Sequence, residues 1–225
     1  MACNYQGKIV TNGLVLCLDA ADKKSYPGTG TVWTDRSGRG NHGTLTNGPT
    51  FSSANGGSLV FDGVNDSVNF SFVNPFAETV IVWAKSATIN WNVQGWISSS
   101  RRQNGHIIHP GIGRTLEYYV FDNSSTYFQI GSFTPADITI PHMFTYSTNG
   151  SNSHKGYLDG VEVASSSASI TRSVSPTAQN WLLGQDDGQS RWGNGNIYNC
   201  LRYNRALSPT EIQQNFNATR GRFGI

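Results

Sequence analysis

Apolar and polar residues alternate along much of the chain, and this two-residue period predicts half-buried β-strands. Gly, Asn, Asp, Ser and Pro fill the gaps between the alternating segments, and these residues favour turns. The predicted strands cover residues 14–19, 58–62, 67–72, 79–85, 95–100, 116–122, 126–132, 142–147, 154–164, 180–184 and 196–204. Within 154–164, the pair Asp159-Gly160 predicts a hairpin turn. About a dozen strands at this spacing predict a sandwich or a barrel.

One connection, residues 25–49, is too long and too rich in turn-forming residues to be an ordinary loop. Loops of this length in a compact domain are usually functional or are packed down by their own side chains. Trp33 and Leu45 are the residues that we expect to provide this packing.

The chain ends with a helical pattern that spans residues 208–219. Ser208 is the predicted N-cap, Pro follows at the first helical position, and Glu211 completes a capping box. Ile212 and Phe216 lie one turn apart on a single face. A single short helix is not stable alone, so we expect this face to dock on the β-structure.

The last six residues, 220–225, form a basic and aromatic tail after the helix. We predict that Arg220, Arg222, Phe223 and Ile225 tie the tail to its own domain or to a neighbouring subunit. Deleting the tail is expected to impair assembly more than folding.

Composition narrows the class of protein. The 225 residues are 37% hydrophobic and 13% charged, which is typical of a folded β-protein. The net charge of +2 and the lack of a Lys/Arg cluster argue against nucleic-acid binding. No internal repeat or linker is visible, so one domain over 1–225 is predicted, with an N-terminal extension at 1–13. No apolar run suits a membrane span or a signal peptide, which predicts synthesis in a cytoplasm without a signal peptide.

Three cysteines, Cys3, Cys17 and Cys200, are too few and too scattered for a disulfide scaffold or a zinc site. Buried or idle thiols are therefore expected. If the first and last strands pair, Cys17 and Cys200 become neighbours.

Catalytic chemistry is poorly represented. Retaining glucanases of β-sandwich folds use acidic residues two positions apart on one strand face, and none of the glutamates has such a neighbour. His106 and His109 are three apart, so a strand would direct them to opposite faces, and a loop or strand end is expected for them. Asp35 begins an Asx-type turn more plausibly than a calcium loop. We predict no catalytic residues and no enzyme activity.

Sugar binding needs aromatic faces with amide, carboxylate or guanidinium groups beside them. Trp83 and Trp181 lie in apolar runs and are predicted to belong to the core. Three polar loops supply candidate glycan-binding residues: Asn90, Trp91, Asn92, Arg101, Asp186, Asp187, Arg191 and Trp192. Packing beneath loops or at a subunit interface is at least as good an account of the tryptophans.

Calcium is the one metal with a candidate position, because Asp186 and Asp187 are adjacent in a Gly-rich loop. A solvated turn is the favoured alternative. No cofactor is therefore predicted.

Three segments in order, SLVFDGVNDSVNF, GYLDGVEVA and NIYNCLRYNRALSPTEI, resemble laminin-G-like domains of the concanavalin A-like lectin/glucanase type. The resemblance implies an all-β, two-sheet antiparallel jelly-roll sandwich with one short C-terminal helix. The family often has G-x-I-D-E-V where this chain has GNIYNCL. The missing acidic residue puts the transfer of a charged site to this position in doubt.

A narrower resemblance, to lectin-fold proteins of tailed-bacteriophage particles, comes from the segment that begins GLVLCLDAADKK and from the ending NFNATRGRFGI. It implies a non-enzymatic structural protein at the virion surface, as a capsid decoration or a fibre or tail module. Its expected partners are other virion proteins, further copies of itself and cell-surface glycans. A free carbohydrate-binding lectin is the alternative, and a glycoside hydrolase is the least supported.

Overall fold

The computed structural model describes residues 9–89, 97–100, 104–111, 114–173, 178–186 and 190–225. Within these residues the chain forms sixteen strands, a C-terminal α-helix and two short 3₁₀ helices. The strands are β1 (Leu14–Asp19), β2 (Val32–Trp33), β3 (Gly43–Thr46), β4 (Thr50–Ser52), β5 (Ser58–Asp62), β6 (Ser67–Phe72), β7 (Glu78–Ser86), β8 (Ser98–Ser100), β9 (His106–Pro110), β10 (Leu116–Phe121), β11 (Tyr127–Phe133), β12 (His142–Thr148), β13 (His154–Leu158), β14 (Val161–Ser166), β15 (Gln179–Leu183) and β16 (Asn194–Tyr203). The helix α1 spans Pro209–Thr219.

The strands form two antiparallel sheets of eight. Sheet I has the order β14-β13-β12-β7-β16-β5-β4, and β1 also pairs with β16. Sheet II has the order β11-β10-β9-β8-β15-β6-β3-β2. Sheet I combines consecutive strands, such as β12, β13 and β14, with strands that lie far apart in sequence, such as β7 and β16. This two-sheet sandwich with one C-terminal helix confirms the predicted fold class.

The main core lies between the sheets and follows the alternation of the strands. Val80, Val82 and Ala84 of β7 face sheet II, whereas Ile81 and Trp83 face the opposite side. Trp181 is buried in the inter-sheet core, as predicted. Trp33 and Leu45, which were expected to pack down the connection 25–49, are also part of this core.

A second apolar cluster covers the outer face of sheet I, and α1 closes it. Both hydrogen bonds of the predicted capping box between Ser208 and Glu211 are present. Trp83 stacks on Phe216, with the ring centroids 5.8 Å apart, and its indole N–H donates to Thr219 Oγ1 at 2.8 Å. The helix therefore acts as a lid on this face. No helix within the described residues has the length and apolar character needed to span a membrane.

The tail after α1 packs on its own domain. Arg222 donates to Asp19 Oδ1 at 2.8 Å, and Phe223 stacks on Trp83 with ring centroids 4.3 Å apart. Arg220 is exposed, and Ile225 is 44% exposed. The sequence left open whether the tail binds its own domain or a neighbouring subunit. Arg222 and Phe223 bind their own domain.

Four strands, β2, β3, β4 and β9, were not predicted, because each is short or lies among Gly, Pro and Asn residues. The expectation about the cysteines was also wrong in part. β1 does pair with β16, but Cys17 points to the apolar cluster on the outer face of sheet I and Cys200 points to the inter-sheet core. Cys17 is disulfide-bonded instead of being an idle thiol. Cys200 is a free buried thiol, and its burial raises its pKa.

Candidate functional site

Strand β9 carries His106 and His109 on opposite faces of sheet II. His106 is directed into the inter-sheet core, where its ring stacks on Tyr146 at 4.9 Å. His109 faces away from the core and stacks on Tyr119 at 5.6 Å. The opposite orientations confirm the prediction for a strand. Of the two expected placements, a loop or a strand end, His106 adopts the second as the first residue of β9, and His109 lies within the strand.

The inner cluster consists of Glu78, Ser98, His106, Arg172 and Arg202. Glu78 Oε2 accepts from Arg202 Nη2 at 2.6 Å and from Arg202 Nε at 3.0 Å. Its Oε1 accepts from Arg172 Nη2 at 3.1 Å and lies 3.5 Å from His106 Nδ1. All four of these charged or titratable side chains are fully buried.

These contacts determine the charges in the inner cluster. Burial alone would raise the pKa of Glu78, but the charges of Arg202 and Arg172 and the polar contact with His106 hold it well below its ordinary value. Burial lowers the pKa of His106, although Glu78 opposes this shift. Glu78 is therefore ionised at neutral pH and His106 is neutral.

Ser98, His106 and Glu78 are arranged like a hydrolase triad, with Ser98 Oγ 2.7 Å from His106 Nε2, but His106 Nδ1 lies 3.5 Å from Glu78 Oε1, too far for a good hydrogen bond. Ser98 is only 1% exposed, and its oxygen also accepts from the indole N–H of Trp181 at 2.8 Å. A substrate cannot reach a nucleophile in this position, so the triad-like geometry is part of the core. Sequence reasoning did not find it, because the three residues belong to three different strands.

The outer cluster consists of His109, Glu117, Tyr119 and Tyr127 on the outer face of sheet II. The register pairs His109 with Glu117 across β9 and β10. Glu117 Oε2 lies 3.6 Å from His109 Nε2 and accepts from the Tyr119 hydroxyl at 2.8 Å. Tyr127 meets Tyr119 edge-on, with ring centroids 5.8 Å apart.

Solvent access distinguishes the members of the outer cluster. Tyr127 is 58% exposed, Glu117 and Tyr119 are half-buried, and His109 is buried beneath them. His109 Nδ1 lies 2.7 Å from the carbonyl oxygen of Pro110, which orients the imidazole. The cluster thus combines an exposed aromatic ring with a carboxylate held in a fixed position. Sugars are bound by such combinations, because rings stack on their C–H faces and polar groups bind their hydroxyls.

The sequence offered one signal for this cluster. The alternation of LEYYVF places Glu117 and Tyr119 on one strand face. The partners on β9 and β11 depend on the register between strands, and a single sequence does not show this register.

Among the predicted glycan-binding residues, Asp186, Arg191 and Trp192 come together in a turn that follows β15. The backbone N–H of Asp186 donates to Arg191 O at 3.0 Å, and Gln185 bridges to Trp192. Trp192 is half-buried. Asp186 is fully buried and its Oδ2 lies 3.4 Å from Arg191 Nη1, so this carboxylate supports the turn. The other candidates, Asn90, Trp91, Asn92, Arg101 and Asp187, lie outside the described residues.

The described residues contain no group of three or more His, Cys, Asp or Glu side chains arranged to hold a metal ion. At Asp35, the sequence-based preference for an Asx turn is confirmed. Asp35 Oδ1 accepts from the backbone N–H groups of Ser37 and Cys17, at 2.8 and 2.9 Å.

The sandwich and its outer cluster define a lectin-like class of β-protein. Residues 62–213 match the family model Laminin_G_3 of the concanavalin A-like lectin/glucanases superfamily. This match covers more than half of the chain, so the chain belongs to that family. A comparison with curated proteins finds no match.

Solved structures with the same fold are distant in sequence. Domain 4 of AbnA, an extracellular arabinanase of Geobacillus stearothermophilus solved with arabinotriose, has a TM-score of 0.68 at 15% identity, covering 90% of this chain and 97% of that one. The binding domain of Paraclostridial Mosquitocidal Protein 1 has a TM-score of 0.70 at 14% identity, covering 92% of this chain and 52% of that one. Trypanosoma rangeli sialidase has a TM-score of 0.67 at 17% identity, covering 92% of this chain and 33% of the sialidase, so this chain spans about a third of that enzyme. At these identities the likeness shows the fold alone.

Proposed function

We propose that this protein is a non-enzymatic carbohydrate-binding domain and that its outer cluster holds the glycan. The observation that carries the proposal is the exposed ring of Tyr127 next to the hydrogen-bonded Tyr119–Glu117 pair. Tyr127 supplies the stacking face, and Glu117 supplies an acceptor for sugar hydroxyls.

Two further points support binding without hydrolysis. Glu117 has no acidic residue two positions away, so β10 lacks the paired carboxylates that a retaining glycosidase of this fold needs on one strand. The structurally similar domain of AbnA was solved in complex with arabinotriose. By analogy, this fold is suited to hold an oligosaccharide.

A more specific role is that of a surface module of a tailed-bacteriophage particle, made in the host cytoplasm and self-associating in the particle. This role rests on the resemblance of the opening and closing segments of the sequence. Glycan binding would then hold the particle at a cell surface. Mass spectrometry of purified particles tests this role, since a virion protein must appear there in a fixed ratio to the others. Its absence would remove the particle role and leave glycan binding unaffected.

The binding proposal is tested on a glycan array, followed by titration calorimetry with the best-bound oligosaccharide. Tyr127→Ala should weaken binding about five- to tenfold, since a stacking ring contributes about 1–1.5 kcal/mol. Tyr127→Phe keeps the ring and should retain most of the affinity. Val161→Ala is the matched control, because Val161 is 63% exposed on β14 of the other sheet. Equal affinity of Tyr127→Ala and the wild type would exclude the outer cluster.

A further inference from the structure

A second candidate binding site lies beside strand β6, away from the strands β9, β10 and β11 that carry the outer cluster. A cleft of about 370 Å³ opens where the loop 35–41 and β1 meet the end of β6. In sheet II, β8 and β15 separate β6 from β9. The side chains that matter here are Arg39, Asn41, Ser71, Phe72, Val73 and Asn204. A volume of this size falls in the range of small-ligand pockets.

Arg39 is presented to this cleft by a loop that is fixed internally. The Asp35 carboxylate accepts from the N–H of Asn41 at 3.0 Å and from the Ser37 hydroxyl at 2.7 Å. Gly38 and Gly40 flank Arg39 with φ of 86° and 76°, a conformation that favours glycine. The loop therefore holds Arg39, the second of its two arginines, at the apex of a defined turn.

The Arg39 guanidinium has no ion-pair or hydrogen-bond partner within the described residues, and its side chain is exposed. The neighbouring Arg36 differs, because it pairs with Asp22 at 3.5 Å. Asp35 is the acidic residue of this loop, and its oxygens accept from Ser37 and Asn41 of the loop and from the Cys17 N–H of β1. Arg39 thus remains available for an anion that comes from outside the chain.

The rest of the lining is neutral. Ser71 and Asn204 supply a hydroxyl and an amide, which can donate to and accept from sugar hydroxyls. Val73 is 45% exposed and lies beside the nearly buried Phe72, so one wall is apolar. One cation, several neutral hydrogen-bonding groups and an apolar wall match a sugar ring that carries a single acidic group.

We propose that this cleft binds a carboxylate-bearing sugar residue, with Arg39 pairing with the carboxylate. Guanidinium and carboxylate form two parallel hydrogen bonds in a fixed planar geometry, which gives both affinity and specificity. The inference rests on the proposed function in one respect, namely that the ligand is a saccharide. It adds a ligand class and a second contact surface that is independent of Tyr127.

The test uses an array of paired probes that differ only in charge. The pairs are sialylated glycans with their desialylated forms, and oligogalacturonates with their methyl esters; sulfated glycans form a separate arm. The full chain should bind the acidic member of at least one pair at least tenfold more tightly. Arg39→Gln should bind both members equally, and Arg39→Lys should keep part of the preference. Lys24→Gln, which removes an exposed charge of the same sign outside the cleft, should behave as the wild type.

Three results would overturn the inference: no acidic preference in any pair, a preference that survives in Arg39→Gln, or a preference for sulfate over carboxylate. If neutral glycans still bind and Tyr127→Ala abolishes that binding, the failure concerns the cleft alone. If the wild type binds no glycan of either kind, the proposed function fails as well.

Discussion

The inner and outer clusters have nearly the same chemical groups on the two faces of one strand. Each contains a histidine about 3.5 Å from a glutamate, and each histidine stacks on a tyrosine. The inner cluster adds two arginines and has no solvent access, whereas the outer cluster ends in the exposed Tyr127. Burial, and not residue type, therefore decides that one set supports the fold and the other can meet a ligand.

The comparison also shows where recognition can occur. The outer face of sheet I is closed by α1 and the tail, which cover Trp83 with Phe216 and Phe223. On the outer face of sheet II, the exposed ring of Tyr127 contacts Tyr119, which donates to the Glu117 carboxylate. The C-terminal segment thus covers the outer face of sheet I, whereas Tyr127 on the outer face of sheet II is 58% exposed.

The largest expected effect comes from removing the inner carboxylate. Glu78→Ala leaves Arg172 and Arg202 buried without their counter-ion, and we expect a loss of about 3–5 kcal/mol in the free energy of unfolding. Urea denaturation measures it. Glu117→Ala, in the outer cluster, should cost less than about 1 kcal/mol, since this ion pair is partly exposed. Similar losses in the two variants would contradict the division between the clusters.

A smaller effect should come from opening the sealed face. Phe223 is half-buried against Trp83 and Tyr198, with ring centroids at 4.3 and 4.9 Å. Phe223→Ala should cost about 2 kcal/mol, below the range for a fully buried phenylalanine. Thermal unfolding of Phe223→Ala and of the exposed control Ile225→Ala checks this value. Because of these contacts, deletion of the tail should also lower the stability of the fold. From the sequence, the deletion was expected to impair assembly more than folding. No loss in Phe223→Ala would mean that the tail does not seal sheet I.

The pH dependence of the histidines should give the smallest effect. His142 Nδ1 lies 2.6 Å from Asp159 Oδ2, and Nε2 lies 2.5 Å from the carbonyl oxygen of Asp137. Both partners are acceptors, so both nitrogens must carry protons. Burial alone would lower the pKa of His142, but the hydrogen bond and charge of Asp159 and the Asp137 carbonyl raise it above its ordinary value.

A histidine with a raised pKa stabilises the fold fully below its unfolded pKa of about 6.5, and this stabilisation is lost as pH rises through the folded value. The pKa of His106 is lowered, so the folded state favours its neutral form. The stability that this neutral form contributes is present above about pH 6.5 and is lost as pH falls below that value. The stability difference between wild type and His142→Gln should therefore shrink as pH increases above 6.5. Urea unfolding at several pH values measures it, with the exposed His42→Gln as control. A difference that stays constant with pH would contradict a charged His142.

Local patterns in the sequence were enough to predict most strands, the Asp159-Gly160 turn and the capped helix. Each depends on residues within a few positions of one another, such as Ser208 with Glu211. The buried positions of Trp83 and Trp181 were also predictable, because both lie in apolar runs of the sequence.

Tertiary structure alone decided which chemical groups meet. Glu78 is 124 residues from Arg202 and 94 from Arg172, and only the pairing of β7 with β16 and the packing of the sheets bring them together. The same holds for Glu117, whose neighbours on β9 and β11 follow from register. The amino-acid sequence determined the elements and their buried faces, because those depend on local alternation. Whether a His–Glu pair became core or surface depended on which face of β9 the second sheet covered.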